Sequence, residues 1–207
     1  MTNIDTITIE VADLPAAERF YAAIGLATRI RLRATQEPST GFRGFTLSLI
    51  VSQPADVNTL VDAALKAGAT TLKPATKSMW GYGGVVQAPD GTIWQVATSA
   101  KKDTGPATGQ IDAIVLLLGV GNVAASKQFY TDMGFTVAKS FGPMYVEFAA
   151  ESSPFKLSLY RRKALAKVAG VAVEGTGSHR IVVGGAAQPC ADPDGFVWHT
   201  STVAAES

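Results

Sequence analysis

Along the chain, an alternation of polar and apolar positions gives way to a helical spacing, and this happens twice. Thr6 to Val11 read Thr-Ile-Thr-Ile-Glu-Val, the period of a half-buried strand. Asp13 then stands where a helix cap belongs, with Pro15 in the first turn. Ala16, Phe20, Tyr21 and Ile24 recur at helical spacing until Gly25 supplies the stop. In the second half a strand from Ile114 to Leu118 leads through Gly119 and Gly121 to Asn122 as cap, and the helix ends at Gly134. Phe45 to Val51 is a further predicted strand. Asp56 to Ala67 is an amphipathic helix with Val57, Leu60, Val61, Ala64 and Leu65 inward, stopped by Gly68. Gly83 to Gln87 and Thr92 to Thr98 read as strands around the Pro89-Asp90-Gly91 turn.

The two halves are copies. Asp13 to Leu26 and Asn122 to Phe135 share their spacing, including Phe20-Tyr21 against Phe129-Tyr130. Pro89-Asp90-Gly91-Thr92-Ile93-Trp94-Gln95 likewise matches Pro193-Asp194-Gly195-Phe196-Val197-Trp198-His199. Internal duplication therefore sets the architecture. The offset is 109 between Phe20 and Phe129, 136 between Thr40 and Thr176 and 104 between Asp90 and Asp194, so the second copy gains 27 residues early and loses 32 late. The gain includes Tyr145 to Phe148, Lys156 to Tyr160 and the helical-looking Arg162 to Ala169; the loss removes the counterpart of the Asp56 to Ala67 helix. Lys101 to Gln110, rich in Lys, Gly, Thr and Pro without apolar periodicity, is the linker. In Ala27 to Arg33, the residues Arg29, Arg31 and Arg33 share one strand face. A solvated edge strand guarded by charge is the preferred reading, and an anion site is the alternative.

Composition narrows the classes of partner. With 207 residues, 47% of them apolar and 17% charged, the chain can bury a sizeable core. Eighteen basic residues against seventeen acidic ones leave a net charge of +1, which gives no footprint for nucleic acid. The expected partners are a small molecule or another copy of the chain. The longest apolar stretches, such as Ile114 to Val120, are too short to span a bilayer. A single cysteine, Cys190, and an N-terminus without a signal pattern make a cytoplasmic location the expectation.

A strand, a helix ending in Phe-Tyr and then Gly-Leu, and strands that finish in Pro-Asp-Gly together resemble the vicinal oxygen chelate superfamily, which includes glyoxalase I, extradiol dioxygenases, epimerases and the fosfomycin and bleomycin resistance proteins. The run Gly41-Phe42-Arg43-Gly44-Phe45-Thr46-Leu47, then Lys73-Pro74-Ala75, then Trp80-Gly81-Tyr82, is similar to its glyoxalase-like branch. The resemblance implies an α+β fold of two tandem βαβββ modules, residues 1–100 and 111–207 joined by a linker over 101–110. Their curled mixed sheets would surround a cup-shaped cavity, in a monomer or a homodimer. In metal-using members the ion is held by the first strand of each module, commonly through a His seven residues before the helix cap, and by the last strand, commonly through a Glu four residues after the turn Gly. The same counts here land on Thr6, Gln95, Val115 and His199, with Ala113 replacing Val115 if the extra glycines form a bulge. Only His199 is a usual donor, and a catalytic divalent ion needs three or four. No metal cofactor is therefore expected. The alternative is a divalent metal on non-standard ligands, His179 and His199 with Glu147 or Glu10.

His199 is the candidate catalytic residue, as a ligand contact or general base, against a hydrogen-bonded core histidine. Gln95 can orient a ligand but shuttles no proton. Trp94 and Trp198 lie on the strand face opposite Gln95 and His199 and are assigned to the core. Trp80 and Tyr82, flanked by Gly81, Gly83 and Gly84, are candidates for a stacking platform at the cavity mouth, with Tyr145 and Tyr160 of the same kind. The expected function is binding of a small, largely apolar or aromatic organic molecule, by sequestration or metal-independent conversion. A divalent-metal lyase, isomerase or dioxygenase is the alternative, and a structural paralogue a third.

Overall fold

The computed structural model describes residues 2–150 and 153–200. Strand β1 (Thr6–Val11) and helix α1 (Leu14–Ala23) form as the pattern requires, and the Asp13 carboxylate accepts the Ala16 N–H at 2.9 Å. The first half continues through β2 (Arg31–Ala34), β3 (Ser39–Gly41), β4 (Phe45–Ile50), α2 (Pro54–Lys66), β5 (Thr70–Ser78), β6 (Gly81–Gln87) and β7 (Ile93–Thr98). Residues 101–110 carry no helix or strand. The second half opens with β8 (Ala113–Val120) and α3 (Val123–Asp132), capped by the Asn122 side chain, which accepts the N–H groups of Ala124 and Ala125. It proceeds through β9 (Val137–Phe141), β10 (Tyr145–Phe148), β11 (Phe155–Arg161) and α4 (Arg162–Ala169), then β12 (Gly175–Gly177), β13 (Ile181–Ala186), β14 (Cys190–Ala191) and β15 (Val197–Thr200). The inserted strands and helix of the second copy are thus present, and among the described residues no helix separates β13 from β14. The strand expected from Ala27 starts only at Arg31, because Arg29 and Ile30 turn back to donate to the Leu26 carbonyl.

Two mixed, open sheets and a ribbon result. The larger sheet runs β5-β6-β7-β4-β8-β11-β10-β9, the smaller β14-β15-β13-β1-β2, and β3 pairs with β12 as the ribbon. In each half of the larger sheet the first strand of a βαβββ unit lies beside its last: β4 beside β7 around α2, and β8 beside β11 around α3. Sheets therefore draw strands from both copies. The tail of the first copy joins the head of the second in the larger sheet, and the head of the first joins the tail of the second in the smaller. Register makes the two junctions equivalent. Val115 faces Ser48, which faces Gln95; at matched positions Thr6 faces Gly184, which faces His199. The matched residues Thr40 and Thr176 pair with each other, their hydroxyls 2.9 Å apart, so a pseudo-twofold relation passes through the ribbon.

Both sheets send alternate side chains into one core. Leu47, Leu49, Leu116 and Leu157 meet Ile7, Ile9 and Val183 there. Trp94 and Trp198 are 1% and 0% exposed, as their phase relative to Gln95 and His199 predicts. The opposite face of the larger sheet carries a second cluster, in which Leu165, Ala166 and Ala169 of α4 pack on Phe42, Val85, Ile93 and Leu117. Gly119 permits this: a Cβ there would stand 3.0 Å from the Gly44 oxygen, 3.1 Å from the Arg162 Cα and 3.2 Å from the Leu165 side chain. Helix α4 lies on the face that the expected cavity would use.

Candidate functional site

On that face the side chains form rows. Gln95, Ser48, Val115 and Lys156 make one; Thr46, Leu117, Ser158 and Glu147 make the next; Gly119, Tyr160, Tyr145 and Phe141 make a third. Much of their polarity is spent internally. Gln95 Nε2 donates to Thr46 Oγ1 at 2.8 Å, and the Tyr145 hydroxyl lies 3.0 Å from Glu147 Oε2 and 3.3 Å from Ser158 Oγ. The Tyr145 and Tyr160 rings meet edge to face at 4.9 Å, and Phe141 stacks on Tyr145 at 6.0 Å. Burial pushes the Tyr145 phenol up to about 12, with the Ser158 contact opposing and Glu147 adding to the shift. Burial and Glu147 raise Tyr160 too. Both are neutral hydroxyls at ordinary pH, able to hold a polar group but not to act as phenolate bases.

The four positions counted from the motifs do not share a floor. Gln95 and Val115 flank Ser48 in the larger sheet, while Thr6 and His199 flank Gly184 in the smaller one, where His199 is exposed. Spacing identified equivalent positions correctly; the swapped pairing of the copies put them in two sheets. His179 lies between β12 and β13, stacked on Phe196 at 4.1 Å, with Nδ1 2.5 Å from the Arg43 oxygen and Nε2 3.1 Å from the Asp194 oxygen. It ties the backbone at Arg43 to the Pro193-Asp194-Gly195 turn rather than facing the larger sheet's rows. Glu10 is held by Arg33 at 2.5 Å. His179, His199 and a carboxylate therefore do not converge, and among the described residues no group of three His, Cys, Asp or Glu side chains is placed to hold a metal ion.

The aromatic platform is also displaced. Trp80 is 84% exposed beyond the end of β5. Tyr82 packs against the main core, and its hydroxyl donates to Asn58 of α2 at 2.9 Å. The neighbouring glycines admit other strands rather than a ligand: a Cβ at Gly83 would stand 2.8 Å from the Val96 oxygen, and one at Gly84 3.0 Å from the Ala75 nitrogen. Tyr145 and Tyr160 do lie on the same face as Gln95.

A cleft of about 820 Å³ lies at the strand ends, where the two sheets meet beside the Ile4–Phe155 bridge and the first row ends in Lys156. Thr6 lines it from the smaller sheet, and Ile50, Ile114 and Phe155 from the larger. Sequence reasoning missed it as a site because its walls come from both copies and carry no shared motif.

No family model and no curated protein matches the chain. Solved structures do. Glyoxalase I from Zea mays matches over 97% of this chain and 92% of its own, at 16% identity and a TM-score of 0.60. A putative dioxygenase from Bacillus subtilis subsp. subtilis str. 168 matches over 88% of this chain and 70% of its own, at 12% identity and a TM-score of 0.55. The chain has the fold of the glyoxalase, or vicinal oxygen chelate, superfamily.

Proposed function

We propose that this chain is a glyoxalase-fold protein that binds a small organic molecule without a metal ion, in the cleft at the strand ends where its two sheets meet, and either sequesters or converts it. The observation that carries the reading is the contrast between two places. The face of the larger sheet that holds Gln95 and Val115 is packed by α4, and its amide and hydroxyls bond one another. The cleft at the strand ends, where Ile50 and Ala113 stand among Thr6, Arg31, Asp112 and Lys156, has a volume of about 820 Å³, within the range of small-molecule pockets. Coordination chemistry supports the metal-independent part, since a valine, hydroxyls and an amide already donating to Thr46 are a poor set for a divalent ion.

Metal analysis of the purified protein, with thermal unfolding in the presence and absence of a chelator, tests this. The expected outcome is no stoichiometric ion and an unchanged Tm. A bound ion whose removal lowers Tm would support the metal-dependent lyase, isomerase or dioxygenase instead. Native mass spectrometry of the protein as purified would identify a retained ligand.

A further inference from the structure

The turn that holds Trp80 takes no part in the cleft, yet it carries the two most exposed large apolar side chains among the described residues. Met79 and Trp80 lead the chain from β5 to β6 and are 79% and 84% exposed. The turn is braced: the Ser78 hydroxyl accepts the Trp80 N–H at 3.2 Å and donates to the Gly81 oxygen at 3.4 Å. Gly81, at φ +135°, sets the tip against the end of β7, where a Cβ would stand 2.8 Å from the Ser99 Cα. Both large side chains stay outside the core clusters. Lysines flank them. Lys77 pairs with Tyr82 at the base of the tip, and Lys101 and Lys102 follow closely after Ser99. All three are exposed, and among the described residues no hydrogen bond or ion pair engages their side chains. The next residue, Asp103, is turned to α2, where it accepts the Ala55 N–H at 2.7 Å, and the side chain that α2 presents to Tyr82 is the neutral Asn58.

We propose that this tip docks on an anionic lipid surface, with Trp80 and Met79 entering the interface and Lys77, Lys101 and Lys102 meeting the headgroups. Tryptophan suits the boundary between hydrocarbon and headgroups, since its ring is apolar and its N–H seeks a polar partner. The flexible thioether chain of Met79 adds apolar area beside it. Neither signal suffices alone. Two apolar side chains give weak partitioning, and the lysines add an attraction to negative lipid that acts only within a Debye length. Their coincidence at one braced tip selects a negatively charged membrane surface. A protein partner fits less well, because a stable interface takes about 800 Å² from each side and two projecting side chains do not make such a face. Binding is to the surface alone: no helix among the described residues is long and apolar enough to cross a bilayer.

Vesicles of phosphatidylcholine, with and without phosphatidylserine, test this on the full chain by co-sedimentation and tryptophan emission. The chain is expected to sediment with the phosphatidylserine vesicles, to be released as salt is added, and to stay in solution with phosphatidylcholine alone. Its emission should shift to the blue on binding, and that shift belongs to Trp80, because Trp94 and Trp198 are already buried. Trp80→Ala should weaken partitioning at least about tenfold, and Lys77→Gln, Lys101→Gln and Lys102→Gln combined should do the same. Phe141→Ala, which removes an exposed ring at the other edge of the larger sheet, should change nothing. An unchanged Tm checks that each variant is folded. Failure to sediment with phosphatidylserine vesicles, or sedimentation without a blue shift, overturns the assignment. So does equal binding to phosphatidylcholine alone. Self-association that Trp80→Ala abolishes, with no vesicle binding, would give the tip to a second copy instead.

Discussion

Tyr21 and Tyr130 occupy the same place in their helices, and each gives its hydroxyl to a carboxylate at the turn that closes its own copy. The partners differ: Asp90 at 2.8 Å for Tyr21, and Asp192 at 2.7 Å for Tyr130, whose oxygen also accepts the Trp198 Nε1–H at 3.3 Å. Asp194, the counterpart of Asp90, is engaged elsewhere, accepting from Gly121 N–H at 2.7 Å and Ser126 Oγ at 3.2 Å. Tyr130→Phe should therefore cost about 1–3 kcal/mol in urea unfolding, since it strips a partner from a buried carboxylate. Two buried aspartates should respond to pH with opposite sign. Burial holds Asp192 above the usual carboxylate range, although the Tyr130 hydroxyl and the N–H groups of Phe196 and Asp194 oppose it. Its contribution to stability is complete below the unfolded pKa and is lost as pH rises through the folded one. For Asp56 burial acts upward, but the N–H groups of Gly109 and Thr108 and the hydroxyls of Thr108 and Ser52 outweigh it, so the carboxyl titrates below its usual range. Its contribution is present above the unfolded pKa and is lost as pH falls through the folded one. Asp56→Asn should flatten the acid limb of a stability-against-pH curve, and Asp192→Asn should flatten the loss that begins above about pH 4. An unaltered acid limb in Asp56→Asn would refute the first assignment.

Among the elements, α4 separates what the sequence pattern reveals from what it hides. The run from Arg162 to Ala169 reads as a helix, and it is one. Its seat on the larger sheet depends on Gly119 and on Phe42, Val85 and Ile93, residues of other segments that no local period connects to it. Leu165 is 0% exposed in that cluster, and Leu165→Ala should cost about 2–5 kcal/mol, read as a fall in the urea midpoint. A loss near zero would mean that α4 is a detachable cover. Strands β5 and β9 are illegible in the pattern for a related reason: they are the two edges of the larger sheet, largely exposed, and so lack the alternation that burial imposes. Facing within a strand was legible, as Trp94 against Gln95 and Trp198 against His199 demonstrate. Which strands would be neighbours was not, and that decided where Thr6, His179 and Tyr82 came to lie.

For the whole molecule the consequence of this pairing is mutual dependence of the copies. Six register pairs join β4 to β8, from Phe45 with Leu118 to Ile50 with Ala113, and four join β1 to β13. The linker is itself fastened: Gln53 Oε1 accepts the Thr104 N–H at 2.7 Å, and Asp56 Oδ1 accepts the N–H groups of Thr108 at 2.6 Å and Gly109 at 2.8 Å. Residues 1–100 expressed alone would leave β4 and β1 as uncovered edges, and residues 111–207 alone would leave β8 and β13 so. Unpaired central strands expose backbone donors and acceptors together with apolar faces, which favours aggregation over a folded half. Neither half should unfold cooperatively by itself, and mixing the two should restore a single urea transition and the far-ultraviolet spectrum of the intact chain. Cleavage at a protease site placed between Lys101 and Lys102 should, by the same reasoning, leave the two pieces associated, because the linker beyond the cut keeps its own contacts to Gln53 and Asp56. Cooperative unfolding of either isolated half would contradict the interleaved pairing, since a self-contained copy has no use for the strands of the other.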